Sequence, residues 1–244
     1  MSSQAKHQLR PFEPNIDVLQ RIRPMSEADV RRVADLHHQA MGKSLWAQLG
    51  QRFLREVYRG MLNTPSFLGF VYEERGQIEG FIAGSENTAT MMKQVFLSRF
   101  HRLSAAGILG LRNPAVIKHL LETPFYFRNS NAPTSDSISA ESLFCSFTPA
   151  LRGKRVSGHI NKVLFDTLLH KGHREVKITT ETDNEGANRQ LTSWGFENRG
   201  PFHFYGKEMV LYVLDLPKCE RLIPFDWTST QAVSNFQSTS PDTV

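Results

Sequence analysis

The residues best suited to chemistry lie between Glu141 and His159, where the chain reads E-S-L-F-C-S-F-T-P-A-L-R-G-K-R-V-S-G-H. Arg152, Gly153, Lys154, Arg155, Val156, Ser157 and Gly158 make a basic, glycine-bearing turn ahead of a helical pattern with Ile160, Val163, Leu164 and Leu168 on one face. The first N–H groups of a helix lack intrahelical partners and the dipole is positive there, so such a turn suits a phosphate. The plain alternative is a charged helix start without a ligand. Upstream, Phe144, Cys145, Ser146 and Phe147 predict a buried strand that Thr148 and Pro149 stop. Glu141 begins that strand, six residues before Phe147, which on a regular strand puts the two on one face. Its carboxylate could take a proton; the competing reading is a solvated strand edge. Cys145 reads first as a small buried hydrophobe, since a covalent role needs an activating base that the sequence does not identify.

Composition bounds the possibilities. With 244 residues, 40% of them hydrophobic and 22% charged, the chain can bury a sizeable core and predicts one soluble domain with extensions. No apolar run reaches membrane-spanning length, and the opening residues carry no apolar segment behind their charges. Two cysteines make neither a disulfide framework nor a zinc pattern, so a reducing cytoplasm is expected. His170 and His173 stand three apart, but Gly172 interrupts their helix and no third ligand appears, so no metal is expected. A net charge of +5 is compatible with an anionic ligand. Nothing resembles a nucleic-acid recognition motif, and no nucleic-acid partner is expected.

In chain order, residues 1–19 read as a mobile arm and 20–24 as a short strand. Ser26 with Asp29 marks a helix start, with Val30, Val33, Ala34 and His37 as its buried stripe. A second helix runs through Phe53, Leu54, Val57, Tyr58 and Met61. Strands over 67–73 and 77–84 flank a tight turn at Glu74, Arg75 and Gly76. Residues 86–139 read as an inserted helical stretch over Met91, Val95, Phe96, Phe100 and Leu103, a further helix over 114–121 and a polar loop. After the central strand, turn and helix come a strand over 175–180, a helix over 185–194 closed by Gly195, and a strand pair over 196–200 and 207–216. Beyond Pro217 the composition predicts a loose tail in which Phe225 and Trp227 could dock.

This order resembles the GNAT superfamily of acetyl-CoA-dependent N-acetyltransferases over about residues 20–216. Phe147, Pro149, Arg152, Arg155 and Ser157 stand where the family has its V-x-P and Q/R-x-x-G-x-G/A pyrophosphate loop; Asn184, Ala187, Leu191, Gly195 and Phe196 match a second signature. A weaker likeness, through Tyr205, Gly206, Lys207, Met209, Tyr212 and Leu216, is to members of surface-polysaccharide and modified-sugar pathways. The resemblance implies an α/β (α+β) fold: a mixed, mostly antiparallel twisted sheet flanked by helices, with a helical insertion before the central strand. It implies acetyl-CoA as co-substrate, without a metal, and a primary amine of a small molecule as acceptor, an amino sugar being one candidate. Residues 145–147 and 152–158 and Asn184, which otherwise would simply cap its helix, become the coenzyme-binding set. Glu141 becomes the general base for direct attack by the amine, because members of the family place their catalytic glutamate there. A backbone N–H near Ser146 or Phe147, where the family's strand splays, would hold the oxyanion.

The sequence departs from the family pattern in two ways. Arg155 and Ser157 replace the two loop glycines, with Gly153 and Gly158 as neighbours that could compensate. Leu191 stands where many members carry the tyrosine that protonates the leaving thiolate; His159 and Tyr205 are alternative donors. These departures keep open a non-catalytic coenzyme-sensing module, and the Glu141 position also fits an acetyltransferase acting on peptide or protein amines. In the insertion, Met91, Met92, Val95, Phe96, Phe100 and Leu103 with Lys93, Arg99 and Arg102 could rest on a membrane, though burial in the chain's own fold is the simpler use of that face.

Overall fold

A computed structural model describes residues 12–41, 45–107, 138–204 and 206–222. The expected helix over 114–121, most of the polar loop, Tyr205, Phe225 and Trp227 lie outside them.

The elements follow from local signals. Asn15 caps a short helix, α1 (Ile16–Leu19), its side-chain oxygen accepting from the Val18 N–H, and β1 (Ile22–Pro24) follows. Asp29 accepts from both the backbone N–H and the hydroxyl of Ser26, closing the turn that opens α2 (Val30–Ala40). After a single turn, α3 (Leu45–Gln48), comes α4 (Gln51–Leu62). Strands β2 (Phe67–Glu74) and β3 (Gln77–Ser85) are joined by Arg75 and Gly76, both at positive φ, the two-residue turn whose twist matches a hairpin. Helix α5 (Thr88–Gly107) begins the insertion. Then come β4 (Glu141–Phe147), α6 (Val156–His170), β5 (Glu175–Glu181), α7 (Glu185–Trp194), β6 (Glu197–Phe204) and β7 (Lys207–Asp215). Gly195, at φ 85°, closes α7.

The seven strands lie in the order β1-β2-β3-β4-β5-β7-β6, and every neighbouring pair is antiparallel except β4 with β5. One face buries Ile160, Leu164, Phe165 and Leu168 of α6 with Leu191 and Trp194 of α7. The opposite face buries Val33, Leu54, Val57, Met91 and Val95 from α2, α4 and α5. This is the mixed, mostly antiparallel sheet between helices that the resemblance implied, and α5 is the described part of the stretch read as a helical insertion ahead of the central strand. The apolar side of α5 is spent on this second core layer.

Two terminal segments differ from expectation. Residues 12–19 are docked, with Leu19 buried in the α6 layer, rather than loose. At the other end Cys219 and Leu222 are also buried, and the Arg221 guanidinium lies over the Trp194 ring. Both segments cover apolar surface that α6 and α7 would otherwise leave open to water.

Candidate functional site

The site is built around β4 and β5, the one parallel strand pair among the described residues. β4 and β5 share a single register pair, Glu141 with Lys177, fixed by the Lys177 N–H donating to the Ala140 carbonyl at 3.0 Å. Beyond it the strands part, whereas β5 and β7 stay paired along their whole length from Glu175 to Glu181. A cleft therefore opens toward the C-terminal ends of β4 and β5, where α6 and α7 begin. In sheets with parallel pairs that is the end where ligands bind.

At the head of the cleft the turn is set by two left-handed residues. Leu151 to Lys154 is a type II turn, with Arg152 at φ −57°, ψ 132°, Gly153 at φ 78°, and the Lys154 N–H donating to the Leu151 carbonyl at 3.1 Å. Arg155 then takes φ 57°, ψ 16° as the cap of α6. Its carbonyl receives the N–H groups of Gly158 and His159. The N–H groups of Gly153, Arg155, Val156 and Ser157 find no acceptor among the described residues. Four such donors at the positive end of a 15-residue helix, with the cationic side chains of Arg152, Lys154 and Arg155 on the same turn, make a cradle chemically suited to an anion. Arg155 thus holds a left-handed conformation that side chains resist, not the ordinary helical dihedrals that an arginine would prefer. The Lys154 ammonium lies 3.3 Å from Glu74, so part of its charge is already matched.

Gly158 does not serve the cradle as expected. Its N–H is used by the Arg155 carbonyl, and a Cβ there would meet the Phe12 ring at 2.9 Å, so its small size makes room for Phe12. Asn184 caps α7, its side-chain oxygen accepting from the Ala187 N–H at 3.2 Å; its amide N–H₂ group has no acceptor among the described residues. His159 is committed at both ring nitrogens, and burial lowers its pKa, which makes it a poor proton donor.

β4 is not a regular strand, and this moves Glu141. Its pairing with β3 jumps from Ala83↔Phe144 to Gly84↔Ser142, leaving Leu143 as an extra residue. Leu143 and Phe144 both face the α2–α4–α5 layer, while Cys145 and Phe147 face α6. The bulge overturns the even-numbered spacing: Glu141 points to the face opposite Phe147, toward Thr88 at the start of α5. Burial raises its pKa, partly offset by the Lys177 ammonium and the Thr88 hydroxyl. A raised carboxyl pKa suits a base that must hold a proton taken from an ammonium. Ser146 donates to the Leu36 carbonyl at 3.3 Å, tying α2 across β4. Burial pushes the Cys145 thiol well above its ordinary range, which disfavours the thiolate an acyl intermediate would need. Among the described residues no group of His, Cys, Asp and Glu side chains could hold a metal. None of their helices is long and apolar enough to cross a membrane.

Sequence reasoning missed the bulge, Phe12 and Asn15. The last two carry no chemical signature; only their docking on α6 links them to the site.

No family model and no curated protein sequence matches the chain. Solved structures do. The protein SsHAT aligns with a TM-score of 0.59 at 15% identity, over 80% of this chain and 97% of its own. Ard1 from Thermoplasma volcanium aligns at 0.50 and 15%, over 79% and 95%. An N-acetyltransferase from Staphylococcus aureus Mu50 aligns at 0.50 and 15%, over 80% and 97%. At these identities the likeness is one of fold, and it extends over nearly the whole of each of these proteins. Strand order, the parting of β4 from β5 and these alignments agree that the chain has the fold of the GNAT acetyltransferases.

Proposed function

We propose that the protein is an N-acetyltransferase that moves an acetyl group from acetyl-CoA to a primary amine of a small molecule, an amino sugar being a candidate, with Glu141 as general base. The observation that carries this reading is the parting of β4 from β5, with four N–H groups at the head of the gap that have no acceptor among the described residues. The donors and the Arg152, Lys154 and Arg155 charges fit a diphosphate, and the amide of Asn184 stands on the other lip for the coenzyme's arm. A coenzyme held there directs its thioester back along β4, past Phe147, Ser146 and Cys145.

Glu141 lies further along the same strand on the α5 face, so an amine would approach from the helical layer of α2, α4 and α5 while the coenzyme enters from the strand ends. The carboxylate takes a proton from the ammonium, and the free amine attacks the thioester carbonyl. A β4 backbone N–H near Ser146 would hold the oxygen as negative charge develops. Leu191 cannot donate a proton, so the departing thiolate takes one from water or from the acceptor's own acidified nitrogen. Direct transfer, rather than a Cys145 intermediate, is favoured by the raised pKa of that thiol.

The test is calorimetric titration with coenzyme A followed by thioester consumption across a panel of amino sugars, small amines and peptides. Binding with turnover that Glu141→Gln abolishes supports the enzyme. Binding without Glu141-dependent turnover on any amine supports a coenzyme sensor, and turnover on peptides alone supports the protein-directed reading. Absence of coenzyme A binding refutes all three.

A further inference from the structure

Two residues of the cradle turn, Arg155 and Gly158, are joined to a segment 140 positions earlier by a chain of specific contacts. The Asn15 backbone N–H donates to His159 Nε2 at 2.8 Å. His159 Nδ1 lies 2.8 Å from the Arg155 carbonyl, an acceptor only, so Nδ1 carries the proton and Nε2 is free to accept. The Phe12 ring packs over Gly158 and sits 4.9 Å from the His159 ring and 5.7 Å from the Trp194 ring, measured between centroids. Arg221 completes the stack, 6.0 Å above Phe12 and 5.3 Å above Trp194. Leu19, at the far end of the segment, is buried in the core.

The Arg155 carbonyl is therefore a four-way junction: it ends the left-handed residue, accepts from Gly158 and His159 N–H groups, and accepts from the His159 ring. A left-handed arginine reverts readily to a relaxed conformation unless surrounding contacts hold it. Its reversion would rotate the Val156 and Ser157 N–H groups away from a shared anion.

We infer that the segment Phe12–Leu19 is a positioning strap for the coenzyme site, acting through His159 to hold the Arg155 peptide so that the free N–H groups converge on a diphosphate. This rests on the reading of the turn as a coenzyme cradle. His159 is then a positioning residue that touches no substrate, and Gly158 is small to admit the strap.

Three substitutions separate the links. Asn15→Pro deletes the N–H that His159 accepts; Asn15→Ala removes only the side-chain cap of α1; His159→Asn keeps a donor for the Arg155 carbonyl, which His159→Ala lacks. Coenzyme A affinity should fall about tenfold in Asn15→Pro and in His159→Ala, the effect of about one hydrogen bond. It should stay within about twofold in Asn15→Ala and recover most of its loss in His159→Asn. Hydrogen exchange at the Gly158 and His159 amides should quicken in Asn15→Pro and in Phe12→Ala, the latter serving also if the proline variant does not fold. Folded variants that bind coenzyme A as the unaltered protein does, with unchanged exchange at those amides, overturn the strap. If the unaltered protein ignores coenzyme A, the reading of the cradle falls, and amide exchange alone then decides whether the strap holds the turn.

Discussion

Replacing Arg155 by glycine should stabilise the protein although it deletes a whole charged side chain. Arg155 sits at φ 57°, ψ 16°, where an L-residue loses about 1–2 kcal/mol relative to its preferred conformations. Glycine escapes that strain but gives back about 0.5–1 kcal/mol through the greater freedom of the unfolded chain. The net gain is about 0–1.5 kcal/mol, a rise of up to roughly 6 °C in Tm for a chain of this size. Arg155→Ala keeps the strain, so glycine should exceed alanine by roughly 1 kcal/mol. The carbonyl that anchors Gly158 and His159 is main chain and survives both changes. Urea unfolding of the three proteins measures the differences directly. An alanine variant as stable as the glycine variant would refute the left-handed assignment, and a glycine variant less stable than the unaltered protein would show that the guanidinium contributes more than the backbone loses. Both variants remove the charge, so any loss of coenzyme affinity they share reports on the side chain alone.

Glu141→Gln should lower kcat by about 10²–10⁴-fold while leaving coenzyme A affinity within about twofold. Because burial raises its pKa, the deprotonated base is lost as pH falls through a value above the ordinary carboxylate range; kcat/KM should therefore climb with pH past that value, a limb absent in the glutamine variant. Gly84→Ala, whose Cβ would meet the Leu164 methyls at 2.9 Å and the Glu141 carbonyl at 3.0 Å, should cost about 1–3 kcal/mol in urea unfolding and disturb the start of β4. Tyr58→Phe removes the 2.7 Å partner of the buried His37 Nδ1 and should cost about 1–3 kcal/mol, with no change in coenzyme affinity; a loss of affinity instead would tie α2 and α4 to coenzyme binding.

The arginine, the strand bulge and the strap show what each level of description supplies. The turn from Arg152 to Gly158, its flanking strand and helix, the Arg75–Gly76 hairpin and the Gly195 cap were legible because each is specified by a few adjacent residues whose backbone preferences agree. Leu191 in place of the usual tyrosine was equally plain. The face on which Glu141 lies was not, because alternation assumes an uninterrupted ladder and the extra residue at Leu143 exists only in the pairing of β4 with β3. Nor does any local pattern say that Phe12, with nothing periodic around it, will pack on a glycine 146 positions later.

The amino-acid sequence alone determined most of the longer elements, their order and the basic, glycine-bearing character of the turn from Arg152 to Gly158, since those depend on short-range sterics, capping and periodicity. Tertiary structure decided where β4 leaves β5, which way the carboxylate of Glu141 points and what holds Arg155 in its strained form. Those outcomes arise from contacts between distant segments, where the packing of two core layers overrides the preference of any single residue.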